Sequence, residues 1–532
     1  MGVNTKSFDN ASDMITFSRA SGAYGLTKVG YGSELVSNGD FSSDSDWTKI
    51  GTATISGGQA NLATTNDEIQ QGLAVAGVTY EVRINWTVGT GTYLKLYIGG
   101  TYKQVFTSDL TFLITATSAQ AFRFIAGNGS ATISEISVKE VTYNSSDPSA
   151  TLKLIYHPND VPRIEYDLDG TAKGLLVEES RTNLIAYSDL SSGWSETRST
   201  LIQDALTSPE GIDNATALAS DLTASNSHRS QSIMGTLSSG TYTFSAYLKR
   251  GETNAQLEIY VDPANSVQLR VLYVLFDLSN GTAKTPLETG SPTDVDYGIQ
   301  DAGNGWYRCY VTTGNPDGTR VDGTITLSDH QVTLQNPVFN GTGNIGVYIY
   351  GAQFEAGAFP TSYIKTTGAT ATRSTDIASI PVADFGYNQS EGTLFVEADT
   401  FSTSVNNHQD FNFFQGAVGG SSIHSGSRVG GGVAGQYTLW VQSGGSTVAL
   451  ISKTSAISDN TVYKAAWAAS ADDFALTVDG ATVVTDTSGA MPIAATEARI
   501  GYGVYGRLNG HIKSIKYYPR RLTNAQLQEL TT

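Results

Sequence analysis

The stretch GLLVEESRTNLIAYSD, residues 174–189, decides how this chain divides. Gly174, Leu175, Leu176 and Val177 form an apolar run. Two acids follow, then Ser180-Arg181-Thr182-Asn183, then apolar residues again. Such a segment is a catalytic loop, a hinge or a fixed joint, and its surroundings choose between them. Before it, residues 144–183 hold short strand-like pieces broken by Pro158, Pro162 and Asp169-Gly170. These are turn signals, because proline fixes φ and Asp-Gly suits a tight hairpin. After it, LIAYSDLSSGW (184–194) repeats the landmarks of LVSNGDFSSDSDW (35–47): a Leu start, an Asp, a Ser pair and a Trp. GTYTFSAYLKR (240–250) echoes GVTYEVRINWT (77–87), and VYIYGAQFEAG (347–357) corresponds to ATISEISVKEV (131–141). Repeats of roughly 100 residues are duplicated domains rather than solenoid units.

The spacing predicts an all-β chain of tandem jelly-roll or β-sandwich modules with one short C-terminal helix. The expected organisation is an N-terminal arm and connector strand (1–34), an inserted sandwich (35–143), a connector (144–183), a second, larger sandwich (184–380) and a last jelly roll (381–532). Period-2 alternation in TYEVRINWTV, YLKLYIGG and QYTLWVQSG marks half-buried strands. Trp47, Trp194, Trp306 and Trp467 are expected to anchor module cores. In TNAQLQELTT, Thr523 or Asn524 caps a helix carrying Leu527 and Leu530.

Composition narrows the function. The chain has 532 residues, 56 of them Gly, only 15% charged and a net charge of −18. Nucleic-acid affinity rests on Lys and Arg releasing counterions, so a nucleic-acid partner is not expected. The single cysteine, Cys309, excludes an intrachain disulfide and a cysteine metal site. Residues 1–19 lack a signal-peptide pattern and no stretch reaches the length of a membrane helix, which predicts cytoplasmic synthesis and no membrane insertion.

Several segments carry a resemblance: ITFSRASGA, PRIEYD…GLLVEESRTNLI, GTYTFSAYLKRGE, GNGWYRCYVT and GAQFEAGAFPTSYIKTTGATATRSTD. They resemble a family of tailed-bacteriophage virion proteins: tail, head-fibre or baseplate structural proteins bearing carbohydrate-binding-like modules. The C-terminal GRLNGHIKSIKYYPRRLTNAQLQELT resembles the end of concanavalin A-like (laminin-G-like) jelly rolls. The resemblance implies a virion protein made in the host cytoplasm. It implies other virion proteins as partners, a homotrimer and attachment to a host-surface glycan. The alternatives are a purely architectural virion protein and a polysaccharide depolymerase. In the family's pattern FSRAS lies near PRI, so residues 35–143 read as an insertion. Pairing of 14–19 with 163–166 or 174–178 would close it. GLLVEESRTN is then a fixed joint, with Arg181 pairing Glu178 or Glu179.

Catalytic patterns are weak. The jelly-roll glucanase triad Glu-x-Asp-x-x-Glu meets only Glu397 and Asp399, which read as two outward carboxylates. The six histidines form no paired metal motif; His408 with Asp410 is the nearest pair and reads as a surface loop. The chain is therefore expected not to be an enzyme, with no catalytic residue and no metal ligand set. A structural calcium is the one cofactor open to it. YDLDG (166–170) offers carbonyl and carboxylate oxygens for such an ion, and an Asx turn explains that segment equally well. For sugar, stacking aromatics with Arg and Asn nearby are needed. Tyr502, Tyr505, Arg507 and Asn509 are the candidates, with Trp440; Trp86, Tyr93, Tyr97 and Tyr102 are further exposed-aromatic candidates.

Overall fold

The computed structural model describes residues 5–7, 15–72, 74–88, 93–105, 110–143, 145, 150–263, 270–289, 291–314, 318–329, 338–403, 411–414, 422–427, 435–454, 457–492, 495–503 and 506–532. The fold is all-β, built of antiparallel β-sandwiches. Asn524–Thr531 is the one α-helix among the described residues. Thr523 caps that helix through a capping box with Gln526, and Leu527 is buried beneath it.

The chain divides into two compact units. One is Lys28–Lys153 with Leu206–Asp213; the other is Met1–Thr27, Leu154–Ala205 and Asn214–Thr532. The smaller unit packs a five-stranded sheet, ordered Thr101–Val105, Leu94–Ile98, Phe122–Ala126, Glu68–Gln71 and Thr48–Ile50, around a shared core with a seven-stranded one. Alternation builds it: in Leu94–Ile98 every second residue is buried. Trp47 and Trp86 both lie in that core, so Trp86 is an anchor and not a sugar platform.

The larger unit contains two sandwiches. One, around Trp194, Phe244, Leu257, Ile325 and Phe354, faces a seven-stranded sheet against a six-stranded sheet. The other is the C-terminal sandwich, and its sheets reach far outside residues 381–532. Its eight-stranded sheet runs Ile164–Tyr166, Ala172–Val177, Gly510–Tyr518, Glu391–Ala398, Tyr463–Ser470, Asp473–Val478 and Val484–Asp486. Thr5–Ser7 also pairs with Gly510–Tyr518. Its seven-stranded sheet starts at Thr16–Ser18, which pairs with Ile377–Pro381.

This corrects the expected closure. Thr16–Ser18 does not pair with 163–166 or 174–178. Those connector strands form a hairpin with each other, Ile164 opposite Leu175, and Leu175 lies opposite Ile512. Gly174 sits at φ +121, and a Cβ there would run into the Ile512 carbonyl, so glycine lets the strand approach. The Asp169-Gly170 turn closes the hairpin, and Thr171 N–H donates to Asp169 Oδ1 as in an Asx turn.

Candidate functional site

The joint is built from four short segments that the sequence scatters over 357 positions, and together they contribute five charges. Arg19 follows strand Thr16–Ser18, and Arg163 precedes strand Ile164–Tyr166. Glu178 ends strand Ala172–Val177. Arg373 and Asp376 flank the turn between Ala371–Arg373 and Ile377–Pro381. All five side chains are buried. Arg163 Nη1 donates to Glu178 Oε2 at 2.8 Å and to Ser362 Oγ at 2.6 Å, while its Nη2 donates to Asp376 Oδ2 at 2.5 Å. Arg19 Nη1 reaches Asp376 Oδ1 at 3.2 Å, and its other donors serve the carbonyls of Ser21, Pro158 and Val161. Glu178 Oε1 accepts from the Ser362 N–H, and Arg373 donates to the Glu179 carbonyl at 2.5 Å.

Every carboxylate oxygen here is engaged, which is what a buried charge requires. Burial works to raise the Glu178 carboxyl, but the Arg373 and Arg163 charges and the Ser362 bonds overcome it and hold it well below the carboxylate range. Burial lowers Arg19 to about 10, helped by Arg163 and opposed by Asp376. His157, buried beside Arg163 and Arg19, is held neutral, chiefly by desolvation. Breaking one member of such a network costs about 3–5 kcal/mol.

Arg181 pairs with Glu179 at 2.6 Å, donates to the Ala356 carbonyl and lies over the Phe359 ring. Glu178 belongs instead to Arg163. A Cβ at Gly357 would occupy the Arg181 guanidinium, so this glycine makes room for the brace.

A second clamp lies alongside. His511 is buried between two carboxylates, with Nδ1 3.0 Å from Asp399 Oδ1 and Oδ2, and Nε2 3.0 Å from Glu165 Oε2. Burial alone would lower its pKa; the Asp399 charge and the hydrogen bonds to Asp399 and Glu165 raise it to about 9. Asp399 is thus not an outward carboxylate: the chain leaves strand Glu391–Ala398 through a register shift that turns it toward His511. Glu397 remains near the surface with Lys513 at 3.3 Å.

The residues predicted from sequence fall as follows. Asn509 is buried, and its Oδ1 accepts the Glu179 N–H at 2.8 Å, so its side chain works in the joint. Arg507 donates to the Asp376 carbonyl and stacks at 5.1 Å on half-buried Tyr502, which Arg499 also covers at 5.5 Å. Trp440, on strand Tyr437–Ser443, donates to Thr447 Oγ1 and lies 5.6 Å from the His424 ring. Tyr505, His408 and Asp410 lie outside the described residues. In the smaller unit, Tyr97 and Tyr102 face each other at 5.1 Å on the outer side of the five-stranded sheet. Arg123, held in a fork by Glu68, lies over Tyr97. Among the described residues no group of three His, Cys, Asp or Glu side chains is arranged to hold a metal ion.

Sequence reasoning passed over Arg19, Arg163, Asp376 and His511 as individual residues. The available signal was the place of Arg19, Arg163 and Asp376 inside the five resembling segments, and of His511 inside the C-terminal one, in a chain with few charges.

No protein-family model matches the chain, and no curated protein matches it in sequence. Solved structures similar to it include the CBM40 domain of a Ruminococcus gnavus sialidase, at 15% identity and TM-score 0.24 over 28% of this chain and 87% of that one. Domains LG4-5 of the mouse laminin alpha1 chain match at 12% and 0.19, over 57% and 89%. Trypanosoma rangeli sialidase matches at 10% and 0.22, over 91% and 83%. The neighbours are thus carbohydrate-binding modules, laminin G domains and sialidases. The sialidase match, spanning nearly the whole chain, overturns the expectation that the chain is not an enzyme. At that TM-score it supplies no argument for a particular reaction, and the β-sandwich fold rests on the strands themselves.

Proposed function

We propose that the chain is a structural protein of a tailed-phage particle, a fibre, spike or baseplate component presenting carbohydrate-binding-like sandwiches to a host-surface glycan. One observation supports this most. Three of the five segments that carry the family resemblance supply the joint: SRAS gives Arg19, PRI gives Arg163, GLLVEESRTN gives Glu178 and Arg181, PTSYI gives Ser362, and TRSTD gives Arg373 and Asp376. The shared sequence therefore serves a rigid junction inside the larger unit. A display protein needs such a junction, because modules that keep their positions bind several sites at once. Avidity then exceeds single-site affinity by roughly 10²–10⁴.

On this reading the chain works as a homotrimer among other virion proteins. Light scattering of the purified chain tests it: the expected mass is three times 56.4 kDa. A monomer that stays monomeric at tens of micromolar would remove the fibre or spike reading.

A further inference from the structure

The five-stranded sheet of the smaller unit keeps one face on the core and turns the other away. Leu94, Leu96 and Ile98 point inward, as do Phe122 and Phe124 on the next strand. Alternation therefore sends Lys95, Tyr97 and Arg123 outward. The pairing register lines the outward residues up. Tyr102 lies opposite Tyr97, Tyr97 opposite Arg123, Arg123 opposite Gln70, and Gln70 opposite Thr48. One row thus crosses all five strands, about 19 Å from end to end at about 4.8 Å per strand. The row is open to solvent. Tyr102 is 46% exposed, the Arg123 side chain 36%, and Thr48 is exposed as well. Tyr97, Lys95 and Gln70 are half-buried.

The rings and charges of this face are held in place. The Tyr97 and Tyr102 rings lie 5.1 Å apart, and the Arg123 guanidinium sits 5.2 Å from the Tyr97 centroid. Tyr93, one residue before strand Leu94–Ile98, adds a third ring. A Cβ on Gly127 would run into that ring, so the glycine lets it lie against the backbone. Glu68 is buried and takes Arg123 Nε and Nη2 in a two-bond fork, at 2.7 and 2.8 Å. Nη1 is left to a further acceptor. Asp67 is buried too, held by Thr52 and Thr64. Lys95 Nζ reaches only the neutral Asn66 Oδ1, at 3.1 Å. Solvent therefore meets rings and cations here, while the carboxylates are buried and engaged. The net charge of −18 belongs to the whole chain. Charges more than about 8 Å away are largely screened at physiological salt, so the local cations decide.

We propose that this face binds an acidic oligosaccharide, a glycan containing uronic-acid units. Its pyranose rings pack on Tyr102 and Tyr97, and its carboxylate meets Arg123 Nη1 and Lys95. Its hydroxyls bond Gln70 and Thr48 along the row. Beyond the tyrosines the row is polar, which disfavours a protein partner, whose interface would need an apolar centre. The proposal rests on the glycan-binding reading above and gives it a location and a charge.

The test is calorimetric titration of the full chain with hexamers of galacturonate and of mannuronate, and with cellohexaose as the neutral comparison. The titrations are repeated on Tyr102→Ala, Lys95→Gln and, in the other unit, Trp440→Ala. Wild type is expected to bind at least one acidic hexamer, and more tightly than cellohexaose. Tyr102→Ala weakens that binding about tenfold and Lys95→Gln about threefold, while Trp440→Ala leaves it unchanged. If the melting of one face variant shows misfolding, the other carries the comparison. Unchanged binding in both folded face variants, or loss only in Trp440→Ala, overturns this site and leaves the glycan reading standing. Tighter binding of cellohexaose overturns the acidic ligand. A Tyr102→Ala chain of lower mass than wild type by light scattering makes the face a contact between copies and overturns the proposal. No wild-type binding to any hexamer overturns it as well, while the virion reading is judged separately by the wild-type mass.

Discussion

Two glutamates lie buried in the same unit and are treated in opposite ways. Glu178 meets Arg163 and Arg373 and is held ionised, far below its ordinary pKa. Glu258 is buried with no ion pair, and desolvation raises its pKa, opposed only by Thr326, Gln256 and the more remote Arg229. The first sits where chain segments cross and every carboxylate oxygen is used. The second has only neutral hydrogen-bond donors beside it, from Thr326 and Gln256. Burial alone therefore does not set the charge state of a carboxyl; the cations within reach of it do.

Breaking Glu178 gives the largest effect. Glu178→Ala leaves Arg163 buried without its partner and should cost about 3–5 kcal/mol, read from denaturant or calorimetric unfolding of the larger unit. A loss below about 1 kcal/mol would show that the joint does not hold the segments together. Its pH dependence follows from the sign. With the folded pKa depressed, the Glu178 contribution is present above the ordinary value of 4.5 and is lost as pH falls below it.

His511 sharpens the contrast from the basic side. Its folded pKa of about 9 stands above the ordinary 6.5. Its contribution is therefore complete below pH 6.5, declines as pH rises and is gone above about 9, amounting to about 3 kcal/mol at most. His511→Gln should match wild type in stability above pH 9 and fall below it at pH 6. A constant difference across that range would refute the clamp.

Glu258→Gln should change stability by less than about 1 kcal/mol at pH 7, or raise it, because the raised pKa means ionisation is a cost there. A loss as large as that of Glu178→Ala would make the two glutamates equivalent and end the comparison. The smallest effect is expected at Thr523→Ala, about 1 kcal/mol from a lost helix cap. It is read as a lower melting temperature of the C-terminal sandwich.

Much of the local structure was legible. Alternation marked the strands Thr79–Val88 and Thr241–Arg250, and Trp47, Trp194, Trp306 and Trp467 are all buried as anchors. The joint was legible as a place, but its partners were not. Arg181 had two acids within three residues and took the nearer-facing Glu179, because Glu178 points to the opposite side of the strand end, into the buried network. Trp86 looked like an exposed ring because alternation shows which residues share a face, not which face is inside.

The amino-acid sequence by itself determined the β class and the capped helix. These depend on local alternation and capping chemistry, which neighbouring residues carry. Tertiary structure alone decided that Thr16–Ser18 and Ala172–Val177 complete the sheets of the C-terminal sandwich. It alone brought Arg19 to Asp376 across 357 positions. Backbone pairing leaves no mark on side-chain type, and a charge reads as solvated until its distant partner removes it from water.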